Sequence, residues 1–282
     1  MYLYCKLKGG FANQCIQYLF ACSVSRQLGR DLILDVSDYS FDGLFQKLKG
    51  NTVQKSSEGY FSNSYKRVNT PVRHVLSFFC GSHFTDASSI SDIWECKDKI
   101  IFLNGYWHDR VFIDLIDPVD IASLRYSLSS SVNLDKMKYS LPRIGVHVRR
   151  GDYLTGKHRN VYGVCSKEYY DKAISNIINL HGINKYELVV ITDDIDWVEC
   201  DLFKDSPYNF HCNNDNFIGD FCSFMLCDHY IISNSSFSWL ASTLGRNNKS
   251  ICYSPSNFFI DKNRLGLPID DFIKIDGALV SP

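Results

Sequence analysis

Two adjacent arginines in His147-Val148-Arg149-Arg150-Gly151-Asp152-Tyr153, directly after the apolar run Ile144–Val148, are the side chains best suited to hold a diphosphate. A guanidinium donates bidentate, charge-assisted hydrogen bonds to phosphate and stays ionised at any working pH. If the strand continues, period two sends one arginine inward and the other outward. The competing use is a structural ion pair with Asp152, which is also the nearest candidate for a general base. Three other segments carry chemistry of the same kind. Ser233-Asn234-Ser235-Ser236-Phe237-Ser238-Trp239 offers hydroxyls and helix-start N–H groups as an anion cradle, with Phe237 and Trp239 as apolar walls. Thr192-Asp193-Asp194 places a carboxylate where it can accept from the N1 and N2 groups of a guanine. Gly9-Gly10-Phe11-Ala12-Asn13-Gln14 lets the backbone approach a ligand and adds two side-chain amides at a helix start.

Two patterns that invite a metal or phosphate reading are weaker. Asp194-Ile195-Asp196 has the form of a D-x-D metal motif, but carboxylates two apart on a helix diverge by roughly 200°, and capping by Asp194 is the expected role. The glycine-rich turn is neither a Walker loop nor a dinucleotide fingerprint, because no Lys-Ser/Thr follows and the glycine spacing is wrong.

The elements that must position these residues alternate. Residues 2–8 read as a strand, Ile16, Leu19, Phe20, Val24 and Leu28 recur at helical spacing, Gly29 stops that helix, and Leu32–Val36 is a buried strand. Ile100–Leu103 is a strand leading into Asn104-Gly105-Tyr106-Trp107, and a helix is expected around Ile113–Leu128. Beyond the polar stretch Ser129–Leu141, strands at Ile144–Val148, Glu187–Ile191 and Tyr230–Ile232 alternate with helices capped by Ser166, following Asp194, at Phe217–Cys227 and at Phe237–Leu244. This is a doubly wound α/β pattern built twice, with domains at 1–141 and 142–282, and ligand residues at the carboxyl ends of strands. The aromatic stretch Tyr39–Phe84, with Trp107, is a candidate sugar-stacking surface.

Composition narrows the partners. With 30 Lys+Arg against 31 Asp+Glu, the net charge of -1 gives no field that would recruit nucleic acid or an anionic membrane. No leader-like start or apolar run of membrane-spanning length is read, so the chain is expected to be cytoplasmic, at most peripheral to the inner face of a membrane. The 11 cysteines include no C-x-x-C, and those in apolar stretches (Cys15, Cys22, Cys222, Cys227, Cys252) read as buried thiols of a reducing compartment. The sequons at Asn234 and Asn248 are then coincidental.

Taken in order, Gly9–Gln14, Gly105–Trp107, His147–Tyr153, Thr192–Asp194 and Asn234–Trp239 resemble the inverting α-1,2-fucosyltransferases, whose bacterial members show G-G-x-x-N-Q, H-x-R-R-G-D-Y, T/S-D-D and N-S-S-F-S-W blocks. Phe11-Ala12 stands where that family often has Leu-Gly, and Leu240 where a second Trp is common. The resemblance implies a GT-B fold, two Rossmann-like domains facing across a cleft, with GDP-fucose held by the C-terminal one and the acceptor by the N-terminal one. It also implies a hexosyltransferase that needs no cofactor or metal. The reaction would move L-fucose from GDP-β-L-fucose, with inversion, to the 2-hydroxyl of a terminal β-galactoside in O-antigen or a similar glycan. By the same resemblance Arg149 binds the β-phosphate with Arg150 supporting it, His147 and Asp193 hold the guanine side, and Ser235, Ser236, Phe237 and Ser238 the diphosphate. Gly10, Asn13 and Gln14 would face the cleft. Three alternatives fit the same residues less fully: a fucosyltransferase of another linkage, a non-catalytic glycan-binding protein, and a nucleotide hydrolase.

Overall fold

Short apolar strands alternate with helices throughout the computed structural model, which describes residues 1–35, 65–68, 81–130, 141–155, 158–212, 217–264 and 266–281. The chain divides into two compact units, Met1–Ser131 and Val132–Pro282. Among the described residues no helix is long and apolar enough to cross a membrane.

In the first unit β1 (Tyr2–Lys6), α1 (Phe11–Leu28) and β2 (Asp31–Asp35) are followed by β3 (Tyr65–Val68), β4 (Ser82–Phe84), α2 (Ile90–Glu95), β5 (Ile100–Leu103), α3 (Arg110–Ile113) and α4 (Pro118–Ser130). The five strands are parallel in the order β3-β2-β1-β5-β4. Helix α1 stops where its sequence says. Gly29 adopts the left-handed conformation (φ 58°), and the next N–H, of Arg30, reaches back 2.9 Å to the Ser25 carbonyl, closing the helix end. The single helix expected around 113–128 is two, because Pro118 lacks an N–H and starts a new helix rather than continuing one. Of the aromatic region 39–84, only β3, β4 and the adjoining residue 81 lie within the described residues.

The second unit runs β6 (Arg143–Val148), α5 (Arg159–Tyr162), β7 (Val164–Cys165), α6 (Lys167–Leu180), β8 (Glu187–Thr192), α7 (Ile195–Trp197), β9 (Phe210–Cys212), α8 (Phe217–Met225), β10 (His229–Ile231), α9 (Ser236–Gly245), β11 (Cys252–Pro255), β12 (Ile273–Ile275) and β13 (Leu279–Val280). Six strands form a parallel sheet in the order β12-β11-β10-β6-β8-β9. The C-terminal β13 returns to pair antiparallel with β7. Ser166 caps α6 by accepting from the Tyr169 N–H at 3.3 Å, and Tyr169, Tyr170, Ala173, Ile174 and Ile177 form its buried stripe against Ile144, Val146, Leu188 and Val190. Both tyrosine hydroxyls donate to backbone carbonyls at strand ends, Tyr169 to Ile232 at 2.5 Å and Tyr170 to His147 at 3.1 Å. The core helix thereby braces the ends of β6 and β10 from below.

Each sheet has one place where the strand order turns back. It lies between β1 and β5 in the first unit and between β6 and β10 in the second. Adjacent connections leave such a point on opposite faces, which opens a crevice beyond the carboxyl ends of the two strands.

Candidate functional site

The crevice of the second unit gathers three of the four segments. Strand β6 ends at Val148, so Arg149 and Arg150 both lie beyond it and the alternation expected of a continuing strand does not apply. Instead Arg150 is turned down and fixed. Its Nε donates to Asp194 at 2.9 Å, and its guanidinium lies 4.2 Å from the centre of the Trp197 ring. Asp194 also accepts from the Trp197 N–H at 3.2 Å as the cap of α7, so its carboxylate is committed to that helix start and to Arg150.

Arg149 is the presented cation. It is 34% exposed, with Nη2 2.6 Å from Asp152 Oδ1 and Nη1 2.9 Å from Asp193 Oδ2. Two of its five N–H donors are engaged in these contacts, and the rest can grip a diphosphate. Asp193 accepts from the Arg150 N–H as well, at 2.8 Å. Its Oδ2 stands only 2.6 Å from where a Cβ on residue 151 would be, so this turn closes only around Gly151. Both arginines are thus ion-paired, Arg150 with Asp194, and Arg149 with the expected Asp152 and also Asp193, while Arg149 is the more exposed of the two.

His147 is buried at 5% exposure, shares a 2.8 Å hydrogen bond through Nδ1 with the Ser233 hydroxyl, and stacks on Phe237 at 4.9 Å. Burial, with the Arg149 charge adding to it, pushes its pKa down to about 3. The imidazole is neutral when folded, whereas the unfolded chain takes up a proton below about pH 6.5. Stability from this residue is thus complete above that pH and falls as pH drops, by about 1.4 kcal/mol per unit until about pH 3. We expect wild type to lose about 2 kcal/mol more than His147→Asn between pH 7.5 and 5 in urea unfolding. His108 and His229 shift in the same direction, so the difference between the two proteins is the readout.

The serine run is mostly architecture. Ser235 caps α9 by accepting from the Phe237 N–H at 3.3 Å, and the Ser238 hydroxyl donates to the Ser233 and Ser235 carbonyls at 3.5 and 3.4 Å. Trp239 is core, its Nε1 donating to the Pro268 carbonyl at 2.7 Å, and it forms no ligand wall. Ser236, at the first turn of α9, keeps partial exposure beside the helix-start N–H groups, an arrangement able to accept an anion. Asn234 is the hub that composition alone did not reveal. Its side-chain amide donates to the carbonyls of Tyr162, Phe258 and Gly163 at 2.9, 3.1 and 3.4 Å, tying two loops to the start of α9. Its backbone carbonyl accepts from the Tyr153 hydroxyl at 3.2 Å, and Arg149 lies 5.5 Å from that tyrosine's ring centre. At 1% exposure Asn234 is closed to glycosylation in the folded chain. Cys165 lies against it with its thiol pushed up to about 12 by burial, too high for a nucleophile at neutral pH.

In the first unit Gly10 precedes α1, Asn13 and Gln14 fall in its first turn, and the Gln14 amide donates to the Gly9 carbonyl at 2.7 Å. Beside them the loop after β5 is clamped by Asp86, whose two carboxylate oxygens accept from the N–H groups of Tyr106 (2.9 Å) and Trp107 (2.6 Å). Asp86 was missed from sequence, although an acidic residue in the turn Thr85–Ser88 after a strand is a visible signal. The clamp holds Trp107 at φ 59°, an unusual conformation for a large residue. Trp107 has no exposed surface and stacks on Phe20 at 4.8 Å, so it is core and not part of a sugar-stacking surface.

Comparison with known proteins gives this geometry a context. Residues 82–265 match the model of "Glycosyl transferase family 11". The chain is 27% identical to the O-antigen biosynthesis glycosyltransferase WbnK of Escherichia coli, over 97% of this chain and all of that one. It is 25% identical to an alpha-1,2-colitosyltransferase of Escherichia coli, over 90% of this chain and 91% of that one. Among solved structures, the fucosyltransferase NodZ from Bradyrhizobium superposes with a TM-score of 0.53 at 14% identity, covering 86% of this chain and 93% of NodZ. POFUT1 in complex with GDP-fucose gives 0.50 at 10% identity, covering 89% and 97%. The fold class is GT-B, α/β with parallel sheets.

Proposed function

The chain belongs to glycosyl transferase family 11, and from that membership we propose that it transfers L-fucose from GDP-β-L-fucose to the 2-hydroxyl of a terminal β-galactoside, with inversion. The observation that carries this reading is Arg149, a partly exposed fork beyond the end of β6 in the second unit. In a single displacement the acceptor oxygen attacks the anomeric carbon as the bond to the β-phosphate oxygen breaks. The electron pair leaves with GDP, and the acceptor hydroxyl proton passes to solvent water as the new bond forms. Charge grows on the leaving diphosphate, where the remaining donors of Arg149, Ser236 and the first N–H groups of α9 stabilise it without a metal.

Asp152, hydrogen-bonded to Arg149, orients that guanidinium rather than taking the proton. Arg150 and Asp193 shape the loop, and Asp193 turns to the guanine edge when the nucleotide arrives. His147 and Phe237 back the donor pocket, together with Ser235 and Ser238. The donor side belongs to residues 142–282 and the acceptor side to 1–141, with Gly10, Asn13 and Gln14 nearest the reacting sugar. The acceptor class is a glycan of the O-antigen type, met in the cytoplasm or at the inner face of a membrane.

The test is incubation with GDP-fucose and a panel of β-galactosides in EDTA, followed by linkage analysis. An α-1,2-fucosylated product is expected. Loss of transfer in EDTA would remove the metal-free reading, and GDP-fucose hydrolysis without transfer to any glycan would favour a hydrolase. A colitosyl donor belongs in the same assay, because one relative is a colitosyltransferase and colitose is fucose lacking one hydroxyl. Stabilisation of the protein by GDP and not ADP separates all of these from a glycan-binding module.

A further inference from the structure

We propose that Tyr106, Asn13 and His108 form a subsite for a neutral hexopyranoside in the first unit, the sugar's C–H face on the Tyr106 ring and two of its hydroxyls on Asn13 and His108. This rests on the glycosyl transfer proposed above and assigns it the groups that hold the acceptor.

The β1–β5 crevice brings the three together. A point one bond above the Gly9 backbone lies 2.9 Å from the Asn13 amide nitrogen and 3.1 Å from the Tyr106 ring, so amide and ring border the same space. The His108 ring lies 5.6 Å from the Tyr106 ring, tilted by 52°. Tyr106 itself is 38% exposed, an aromatic face turned outward at the end of a parallel sheet where ligands bind. Lys8 holds it in place, with Nζ 4.6 Å from the ring centre and 3.3 Å from the Asn104 carbonyl.

Two polar atoms flanking this face, Asn13 Oδ1 and His108 Nε2, are buried and have no hydrogen-bond partner among the described residues. Such atoms are costly to leave unpaired, and native structures normally satisfy them with protein, ordered water or ligand. The chemistry of the pair selects the ligand. Asn13 Oδ1 only accepts, and burial lowers the His108 pKa to about 4 despite the nearby Asp86 carboxylate, so its imidazole is neutral at physiological pH. A carbonyl oxygen that only accepts repels phosphate oxygens and a neutral imidazole adds no charge to hold them, whereas hydroxyls, which both donate and accept, match the pair. An exposed tyrosine beside them supplies the flat apolar surface that a pyranose needs and a free polyol does not use. Asp86 fixes the loop geometry through the Tyr106 and Trp107 N–H groups, so the ring and the imidazole are presented on a rigid turn.

The experiment uses the full chain with GDP-fucose as donor and lactose as acceptor. Tyr106→Ala and His108→Leu are expected to raise the lactose KM by a factor of about ten or more while the GDP-fucose KM stays within about twofold. Tyr106→Phe keeps the ring and His108→Gln keeps a neutral hydrogen-bonding group, so each should hold the lactose KM within about threefold of wild type. Thermal stabilisation of every variant by GDP confirms that the second unit is intact. Wild-type transfer with an unchanged lactose KM in both Tyr106→Ala and His108→Leu overturns this inference alone. Equal losses in the conservative and disruptive variants also overturn it, since a merely structural role would not separate them. Absence of transfer by wild type to lactose or any other neutral glycan overturns instead the glycosyl-transfer reading on which the inference rests.

Discussion

Arg149→Ala should lose about 10²–10³-fold in kcat, about 3–4 kcal/mol of transition-state stabilisation, with little change in thermal stability. The two halves of that expectation come from different features of the residue. Its bonds to Asp152 and Asp193 join side chains that are 34%, 49% and 27% exposed, and ion pairs so placed are worth about 0–1 kcal/mol to the fold. Its donors matter at another moment, when the bond to the diphosphate breaks and negative charge appears at the crevice. A planar fork with N–H groups left over meets that charge without reorganising. Lysine cannot substitute, because a single ammonium cannot keep both carboxylates and also present a fork, so Arg149→Lys should remain at least about tenfold impaired. Asp152→Asn keeps an oxygen for Arg149 and removes a base. A loss of about tenfold or less marks an orienting role, whereas general-base loss typically runs to 10²–10⁴-fold. Steady-state kinetics and melting on the same preparations check both halves. Near-normal turnover of Arg149→Ala, or a large fall in its melting temperature, would remove Arg149 from the role given to it.

How much of this was legible follows a physical line. Sequence locates features whose cause is local. Gly29 ends α1 because a left-handed residue is needed there, Ser166 caps α6 through a hydroxyl three residues from its partner, and Asp194 caps α7 as its position before the helix implies. The strand-end placement of Arg149, Asp193 and Ser236 was legible for a similar reason, since the runs Ile144–Val148, Glu187–Ile191 and Tyr230–Ile232 announce where strands stop. Contacts across sequence were not. Nothing local distinguishes Arg150, held by Asp194 and Trp197, from Arg149, which is presented. Trp107 looked like a sugar platform because tryptophan often is one, yet the Asp86 clamp turns it into the core and leaves Tyr106 outside. The short strands β9, β11 and β12 escaped as well. Three or four residues at a sheet's flank carry too little periodicity to read, and tertiary pairing alone makes them strands.

The largest stability effect is expected at Asn234, where one side chain substitutes for missing secondary structure. The loops that supply Tyr162, Gly163 and Phe258 have backbone carbonyls inside the second unit, and the Asn234 amide donates to all three. Asn234→Ala removes those donors and strands the carbonyls, each at a cost of about 1–3 kcal/mol, so about 3 kcal/mol in all is a conservative figure. Asn234→Asp is worse although it is smaller in volume change, because a carboxylate would face three carbonyl oxygens at 1% exposure with no donor to offer them. An uncompensated buried charge costs about 3–5 kcal/mol. For a unit of this size each kcal/mol lowers the melting temperature by about 2–4 °C, so Asn234→Asp should melt about 10 °C below wild type near neutral pH. Protonation of the new carboxyl restores one donor and removes the charge, and the gap should therefore narrow as pH falls. The two loops also flank the start of α9, where in the proposed reading Ser236 and the helix N–H groups meet the diphosphate. Hence the stabilisation that GDP confers on wild type should shrink in Asn234→Ala even well below its melting temperature, while Ser242→Ala, on the same helix with its hydroxyl donating to the Trp239 carbonyl at 3.0 Å, should retain it. A full GDP shift in Asn234→Ala would show that the loops do not shape the nucleotide site.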